Sequence, residues 1–265
     1  MQHTRTLRER VAGQSAMSDV VHAQSFAPHR GRIARLFGIN PLTERAKASY
    51  SGALGELVVG DALENVGPSW DVLHDLPLHD SVLDHLLIGR PGVYSVRTAN
   101  YGREDIVIDG DTLLVAGAPR DDIRCARLQG EQVASILAEV VGEPVRVRPL
   151  LVVVDPRRLT VRAPASTVRV MNSRDLVSEL SGAPILLTGD EVARLSDLSD
   201  LVTTWPSADA VALDTQQLNR DFGVIRSEVR DALNRRIAWG AAATIVVYGT
   251  VCGIVATFVS MIVSR

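Results

Sequence analysis

Several residue types that support common kinds of functional site are scarce in this chain. Lys47 is the only lysine among 28 basic residues, and only two cysteines, Cys125 and Cys252, occur in 265 residues. The cysteines lie far apart, so they form no metal-ligand spacing and no disulfide framework, and a reducing compartment is the simpler interpretation. No GxxxxGK[ST] phosphate-binding loop is present either. The sequence therefore gives no support to a thiolate zinc site or a P-loop nucleotide site.

Positive charge is also in short supply where a nucleic-acid-binding domain would need it. The formal net charge is −3, and residues 50–181 carry thirteen Lys and Arg against nineteen Asp and Glu. Residues 1–49 have the opposite balance, with eight basic residues against three acidic ones. A domain that mainly binds phosphates usually has a positive excess. The composition argues against nucleic-acid binding but does not exclude it, because local basic patches could still exist.

Charge is absent altogether from one long segment. The 27 residues of 237–263, IAWGAAATIVVYGTVCGIVATFVSMIV, contain no charged side chain. About 20 apolar residues cross a bilayer core, so we predict one transmembrane helix rather than a buried soluble helix. Arg235 and Arg236 precede the span and favour a cytoplasmic N-terminal side, and no apolar signal-peptide region is visible near residue 1. We expect a tail-anchored, single-pass protein of the cell membrane, with the bilayer as partner and the soluble domain in the cytoplasm.

Two features in and beside the span bear on self-association. Gly249 and Gly253 form a GxxxG pair that would let two transmembrane helices approach closely, in a homodimer through the span. Just upstream, apolar side chains recur at spacings of three and four and predict an amphipathic helix continuous with the span. They are Phe222, Ile225, Val229 and Ala232. This stripe suits a helix that rests on its own domain or the membrane surface, and equally a parallel coiled coil.

The remaining chain divides into regions of different composition. We predict a flexible basic N-terminal arm over 1–42, an α/β domain over 43–206, and a linker with a juxtamembrane amphipathic helix over 207–236, ahead of the transmembrane helix at 237–263. Within 43–206 the order is a helix, three strands, a hairpin at Asp109-Gly110, a helix, two strands and two helices. This order predicts an α/β fold with a mixed sheet flanked by helices. The stretch HRGRIARLFG in the arm is basic and weakly amphipathic; contact with anionic lipid is one interpretation, and we favour simple solvation.

Three runs of this domain resemble a known family. GALGELVVGDALE, WDVLHDLPL and LDHLLIGRPGVYSVRTANYG are similar to segments of the nuclease-related domain (NERD) family, and the resemblance continues in order over residues 46–206. That family is assigned to the PD-(D/E)XK nuclease-like fold, so the resemblance implies a restriction-endonuclease-like mixed sheet. It also implies a site where carboxylates on adjacent strands bind a hard divalent cation that activates water.

The resemblance carries over to individual positions. Glu56 matches the family's helix glutamate, Asp84 matches the strand aspartate expected to bind metal, and Gln129 matches a recurrent helix glutamine. The family's next strand usually reads acid-x-Lys-Asn, but Arg97 and Ala99 stand at the acid and lysine positions here. Acid-x-Lys would place both members on one strand face. Both functional positions have therefore changed while the neighbouring residues match.

The two replacements predict a degenerate site. Arg97 cannot ligate a cation, because its guanidinium stays charged, and Ala99 offers no ammonium to a phosphate. We expect an ion pair between Arg97 and Asp84, extended by Glu56. The chain would then be a pseudo-nuclease that binds or scaffolds a protein partner at the membrane and needs no cofactor.

The alternative is a nuclease that uses Mg²⁺ or Mn²⁺ with a rearranged ligand set. Asp84 would keep the metal in that case, and Glu104 or Asp105 would supply a displaced ligand. Nearby histidines give little support to a zinc site, because His85 should point away from Asp84 on its strand and zinc needs convergent ligands. His74, His79 and His85 are more typical of solvent or loop histidines.

Overall fold

Nine strands in two mixed sheets, surrounded by seven α-helices, make up the computed structural model, which describes residues 7–28, 30–206 and 214–263. The helices are α1 (Gln14–Ser25), α2 (Arg32–Leu36), α3 (Glu44–Leu63), α4 (Asp122–Val141), α5 (Leu176–Ser181), α6 (Gly189–Asp200) and α7 (Thr215–Val263). The strands are β1 (Trp70–Pro77), β2 (Val82–Gly89), β3 (Gly92–Ala99), β4 (Asp105–Asp109), β5 (Thr112–Val115), β6 (Ala118–Arg120), β7 (Val147–Val153), β8 (Arg158–Ala163) and β9 (Arg169–Asn172).

The larger sheet has the strand order β1-β2-β3-β7-β9. β1, β2 and β3 are antiparallel neighbours, and β7 and β9 extend the sheet in parallel. Helix α4 lies between β3 and β7 in sequence and packs against both, as a parallel connection requires. The second half of β7, residues 150–153, is apolar and buried, because helices cover the sheet on both faces. The mixed α/β sheet flanked by helices is therefore confirmed.

A second, four-stranded sheet departs from the single sheet expected from the sequence. Its order is β6-β5-β4-β8, with β8 parallel to β4. The predicted hairpin is present, with Asp109 paired to Thr112 and Gly110 at φ 58°. The prediction missed β8, a short strand that is mostly exposed although its sequence, RLTVRA, alternates polar and apolar residues.

Two apolar layers hold the helices on the larger sheet. On one face, α3 and α5 pack through a cluster that includes Val59, Leu63 and Leu176. On the other face, Val133 and Leu137 of α4 pack with residues of β1, β2 and α6. The sheet is thus covered by helices on both sides.

Helix α1 shows that the predicted flexible arm is wrong for this part of the chain. Met17 and Val20 are buried against Ala53 of α3 and Phe222 of α7. The preceding residues are anchored too, since the Leu7 amide donates to Asp200 Oδ1 at 2.8 Å. The sequence gave little sign of this because the partners of α1 are remote in sequence and its own apolar pattern is weak.

Helix α7 runs from the domain into the apolar tail. Its first turns carry the predicted stripe, and Phe222 packs on Tyr50 with ring centroids 5.7 Å apart. Ala232 is also buried. The stripe therefore rests on its own domain, as in the first of the two alternatives. Further along, the helix is long and apolar enough to cross a membrane, and its apolar side chains from Ile237 to Ala256 are exposed. The predicted linker at 207–213 lies outside the described residues.

Candidate functional site

Asp84 and Arg97 are neighbours across two antiparallel strands. His85 pairs with Val96 in the β2–β3 ladder, so Asp84 and Arg97 are the next residues along their strands. Side chains alternate between the two faces of a sheet, which puts both on the face covered by α4. His85 lies on the opposite face, as predicted. The acid and the arginine that replaces its partner therefore share one corner of the sheet.

The predicted ion pair between Arg97 and Asp84 is wrong, however. The Arg97 guanidinium instead lies 3.1 Å from Asp122 Oδ1, through both Nε and Nη2. Asp122 is the first residue of α4, where a carboxylate also favours the amide end of the helix, and it accepts a hydrogen bond from the Tyr101 hydroxyl. Burial opposes the charged form of Arg97, but Asp84 and Asp122 outweigh it and raise the pKa of Arg97. Arg97 thus influences Asp84 from outside ion-pair distance.

Glu56 reaches the same corner from α3. The helix can approach β3 closely because residue 55 is glycine: a Cβ there would lie only 2.8 Å from the Cβ of Asn100. Two hydrogen bonds fix the approach, from Ser51 Oγ to the Asn100 carbonyl and from Asn100 Nδ2 to the Ser51 carbonyl, both at 2.9 Å. The matched Asn after Ala99 therefore positions the helix that carries Glu56.

A third carboxylate, Asp75, was missed from the sequence. It is 1% exposed and lies in β1 at the one gap in its ladder with β2, between the pairs His74–His85 and Leu76–Leu83. Its φ of 57° is left-handed, a conformation in which Asp is enriched among non-glycine residues. The only sequence signal was an acid within a predicted strand, and β1 also contains Asp71 and His74.

The N-terminal segment supplies hydrogen-bond donors to these carboxylates. The Ser15 amide donates to Asp75 Oδ1 at 2.7 Å and its hydroxyl donates to Oδ2 at 2.8 Å. Arg10 Nη1 lies 3.1 Å from Asp75 Oδ2 and also donates to the Asp75 carbonyl. The Gly13 amide lies close enough to Glu56 to favour its ionised form and so acts to lower its pKa. Residues 10–15 therefore cover the acidic corner with main-chain amides and one guanidinium.

Asp84 has its own main-chain donor. Its Oδ2 accepts the Thr98 amide at 2.5 Å. Burial raises the pKa of Asp84 to about 6, although this bond and Arg97 oppose the shift. Burial likewise raises the pKa of Asp75 against the effect of Ser15 and Arg10.

Glu56 has the most strongly shifted carboxyl group of the three. Burial, followed by the nearby Asp84 and Asp75, raises the pKa of Glu56 to about 9, with Arg97 and the Gly13 amide acting in the opposite direction. Glu56 is therefore protonated at neutral pH. Three carboxyl groups share this corner without all being ionised, because like charges in a buried place disfavour one another.

The other two matched positions have structural surroundings. Ala99 is 4% exposed and packs in an apolar cluster with Ile106 and Leu151, so position 99 faces the core. Gln129 is buried, and its Nε2 donates to the Val82 carbonyl at 2.9 Å. Gln129 thereby fixes α4 to the start of β2, two residues before Asp84.

The side chains proposed as displaced ligands or as zinc ligands lie elsewhere. Asp105 forms a two-point ion pair with Arg157 at the surface, at 2.8 and 2.5 Å. The prediction that His74 and His85 are solvent or loop residues is wrong. Both lie in strands, and their Nδ1 atoms pair at 2.8 Å. Burial lowers the pKa of both. Within residues 7–28, 30–206 and 214–256, no three His, Cys, Asp or Glu side chains converge in a geometry that would hold a metal ion.

The donor set does not fit a hard divalent cation. Such an ion needs several oxygen ligands in its first shell, but both carboxylate oxygens of Asp75 and Oδ2 of Asp84 already accept amide, hydroxyl or guanidinium hydrogens. Glu56 is neutral at pH 7 and Arg97 adds positive charge nearby. The corner is arranged as a network of hydrogen bonds between carboxyl groups and the chain's own donors.

Comparisons with known proteins support the family resemblance. Residues 51–154 match the family model described as the nuclease-related domain, NERD. The matched region runs from α3 through β7 and includes Glu56, Asp84, Arg97, Ala99 and Gln129. No curated protein and no solved structure matches the chain. The chain therefore contains a nuclease-related domain, followed by a helix long and apolar enough to cross a membrane.

Proposed function

We propose that this nuclease-related domain is a membrane-anchored pseudo-nuclease that binds or scaffolds a protein partner instead of cleaving nucleic acid. One observation carries the proposal: residues 10–15 and Arg97 supply positive charge and hydrogen bonds to the acidic corner. Ser15 and Arg10 occupy the carboxylate oxygens of Asp75 that a metal would require, and Arg97 adds positive charge nearby. Position 99, where the family has lysine, faces an apolar cluster.

The membrane part of the proposal rests on α7. Its apolar residues are exposed over more than 18 positions, with Ile245 at 71% and Ile254 at 65%. Exposure of so much apolar surface is unfavourable in water, and a bilayer would cover it. Arg235 and Arg236 precede the apolar run and favour anchoring in the cell membrane with the domain in the cytoplasm. The pair Gly249 and Gly253 favours a homodimer through the span.

Nuclease activity is tested with the full chain in detergent micelles, because α1 and α7 both pack on the domain. Single- and double-stranded DNA and RNA are incubated with Mg²⁺ or Mn²⁺, and wild type is compared with Asp84→Ala. We expect no cleavage by either protein and no saturable Mn²⁺ binding by calorimetry. Metal-dependent cleavage that disappears in Asp84→Ala would establish the rearranged nuclease and refute the pseudo-nuclease.

The scaffolding role needs a separate measurement. The full chain and its segment 207–265 are each used to retain proteins from solubilised membranes. We expect a reproducible partner that requires residues 1–206. Retention of the same proteins by 207–265 alone would assign any binding to the tail and contradict a role for the domain.

A further inference from the structure

A hydrophobic hairpin lies beside α7 at the level where its apolar run begins. Residues 32–39 comprise α2 and the turn after it, and four of their apolar side chains are exposed: Ile33, Leu36, Phe37 and Ile39. We call residues 32–39 the interfacial hairpin. Ile33 is 73% exposed, which is unusual for a large apolar side chain that has a folded domain beside it.

Four contacts fix the interfacial hairpin to α7. Trp239 Nε1 donates to the Leu36 carbonyl at 2.8 Å, and Arg235 Nη1 donates to the Arg35 carbonyl at 2.9 Å. The rings of Phe37 and Trp239 are 5.3 Å apart. The backbone at Gly38 approaches so closely that a Cβ there would lie 2.2 Å from the carbonyl oxygen of residue 232. The hairpin is therefore held at positions 232–239, across the start of the uncharged run.

The charged side chains of the hairpin, and those of α7 from residue 232 to the apolar run, are all arginines. No acidic residue occurs at positions 20–43 or 232–265. Arg32, Arg35, Arg235 and Arg236 are exposed, and none forms an ion pair within the described part of the chain. Arginines next to exposed apolar and aromatic side chains are typical of segments that lie in the headgroup region of a membrane.

We infer that the interfacial hairpin is a second membrane contact, which inserts Ile33, Leu36 and Phe37 into the headgroup region beside the span while its arginines bind anionic lipid. The inference rests on the proposed anchoring by α7. Continuity with the span selects a lipid surface as occupant, because Phe37 contacts Trp239 only two residues past the start of the apolar run. The second contact would hold the domain at a fixed height and orientation instead of on a loose tether.

The test uses the full chain in lipid nanodiscs with either neutral or partly anionic lipid. In a Cys125→Ser, Cys252→Ser background, single cysteines replace Ile33, Val247 or Ile185 and carry a nitroxide spin label. Ile185 is a matched control because it is 62% exposed and lies on a loop beside the β2–β3 turn, away from α7. The readout is the ratio of collision with oxygen, which enters lipid, to collision with a water-soluble nickel chelate.

In anionic discs we expect the ratio at position 33 to exceed that at position 185 several-fold and to approach the ratio at position 247. Replacing both Arg32 and Arg35 with glutamine should lower the ratio at position 33, since each arginine near an anionic surface contributes about fivefold in partitioning. A ratio at position 33 equal to that at position 185 would overturn the inference while the span stays anchored. Dipolar broadening between labels at position 33, together with a ratio there no higher than at position 185, would overturn it in favour of a dimer contact. A low ratio at position 247 would refute the anchoring itself, and the hairpin inference with it.

Discussion

Glu56→Gln should remove a large pH dependence from the stability of the domain. The folded pKa of Glu56 is about 9 against an ordinary value of 4.5. A raised folded pKa means that the stabilising contribution is fully present below pH 4.5 and is lost as pH rises toward about 9. Folding near neutral pH therefore requires Glu56 to take up a proton that its unfolded form lacks.

The magnitude follows from the width of this window. One proton taken up on folding changes the free energy of unfolding by about 1.4 kcal/mol for each pH unit. Between pH 5 and pH 8 the wild type should lose about 4 kcal/mol from Glu56 alone. Asp84 causes a further loss of stability as the pH rises, and this loss ends near its folded pKa of about 6. Glutamine imitates the neutral carboxyl group, so the variant should lack this loss of about 4 kcal/mol between pH 5 and pH 8.

The measurement is a set of urea titrations of the full chain in micelles at pH 5, 6, 7 and 8, followed by tryptophan fluorescence. Trp70 and Trp205 are buried in the domain and report its unfolding. The matched control is Glu64→Gln, which changes an exposed glutamate at the end of the same helix and should leave the pH dependence unchanged. Parallel curves for wild type and Glu56→Gln would refute the reasoning, because they would show that Glu56 titrates alike in both states.

Two further substitutions test the packing around the site by thermal unfolding. Gly55→Ala should destabilise the domain by about 1–3 kcal/mol, because the new Cβ would clash with β3. The control Gly52→Ala meets nothing nearer than 4.0 Å and should stabilise the domain by up to about 1 kcal/mol. Equal effects of the two substitutions would contradict the close approach of α3 to β3. Arg10→Ala should destabilise the domain by about 3 kcal/mol, because it leaves the buried Asp75 without its cation. The control Arg8→Ala removes a side chain that is 50% exposed and should cost under about 1 kcal/mol. A small loss for Arg10→Ala would show that Asp75 does not depend on Arg10.

The elements that the sequence predicted are those whose signals are local. Strands β1, β2 and β3 have apolar patterns bounded by turn residues, and the hairpin at Asp109-Gly110 is specified by its own dipeptide. Helix α6, one of the two predicted helices after β9, begins after its N-cap Thr188, whose side chain and that of Glu191 form a reciprocal capping pair. Local chemistry was sufficient for each of these.

The features that escaped prediction depend on partners remote in sequence. Helix α1 is ordered by contacts with α3 and with α7, which follows some 200 residues later. The ion pair of Arg97 with Asp84 was predicted because strand alternation places the two side chains on one face. The Arg97 side chain instead pairs with Asp122 on α4, and no local sequence pattern shows where α4 packs. Asp75 takes its place in the site from a left-handed backbone and from donors in the N-terminal segment, neither of which is encoded in β1. The roles of these site residues depend on tertiary packing, so they could not be predicted from the local sequence around each residue.

The same packing also explains why one substitution would not convert this acidic corner into a metal site. Restoring an acid at position 97 would add a carboxylate to three that already share a buried corner, and would remove the cation that favours the ionised form of Asp84. The N-terminal donors would remain on Asp75 and Glu56. Because a hard cation needs free, ionised oxygens, reversal of the Arg97 change alone would destabilise the corner before it created a ligand set. If the proposed function is correct, the replaced strand positions and residues 10–15 act as one unit, in which the chain's own amides and guanidinium groups balance the charge that a metal would otherwise balance.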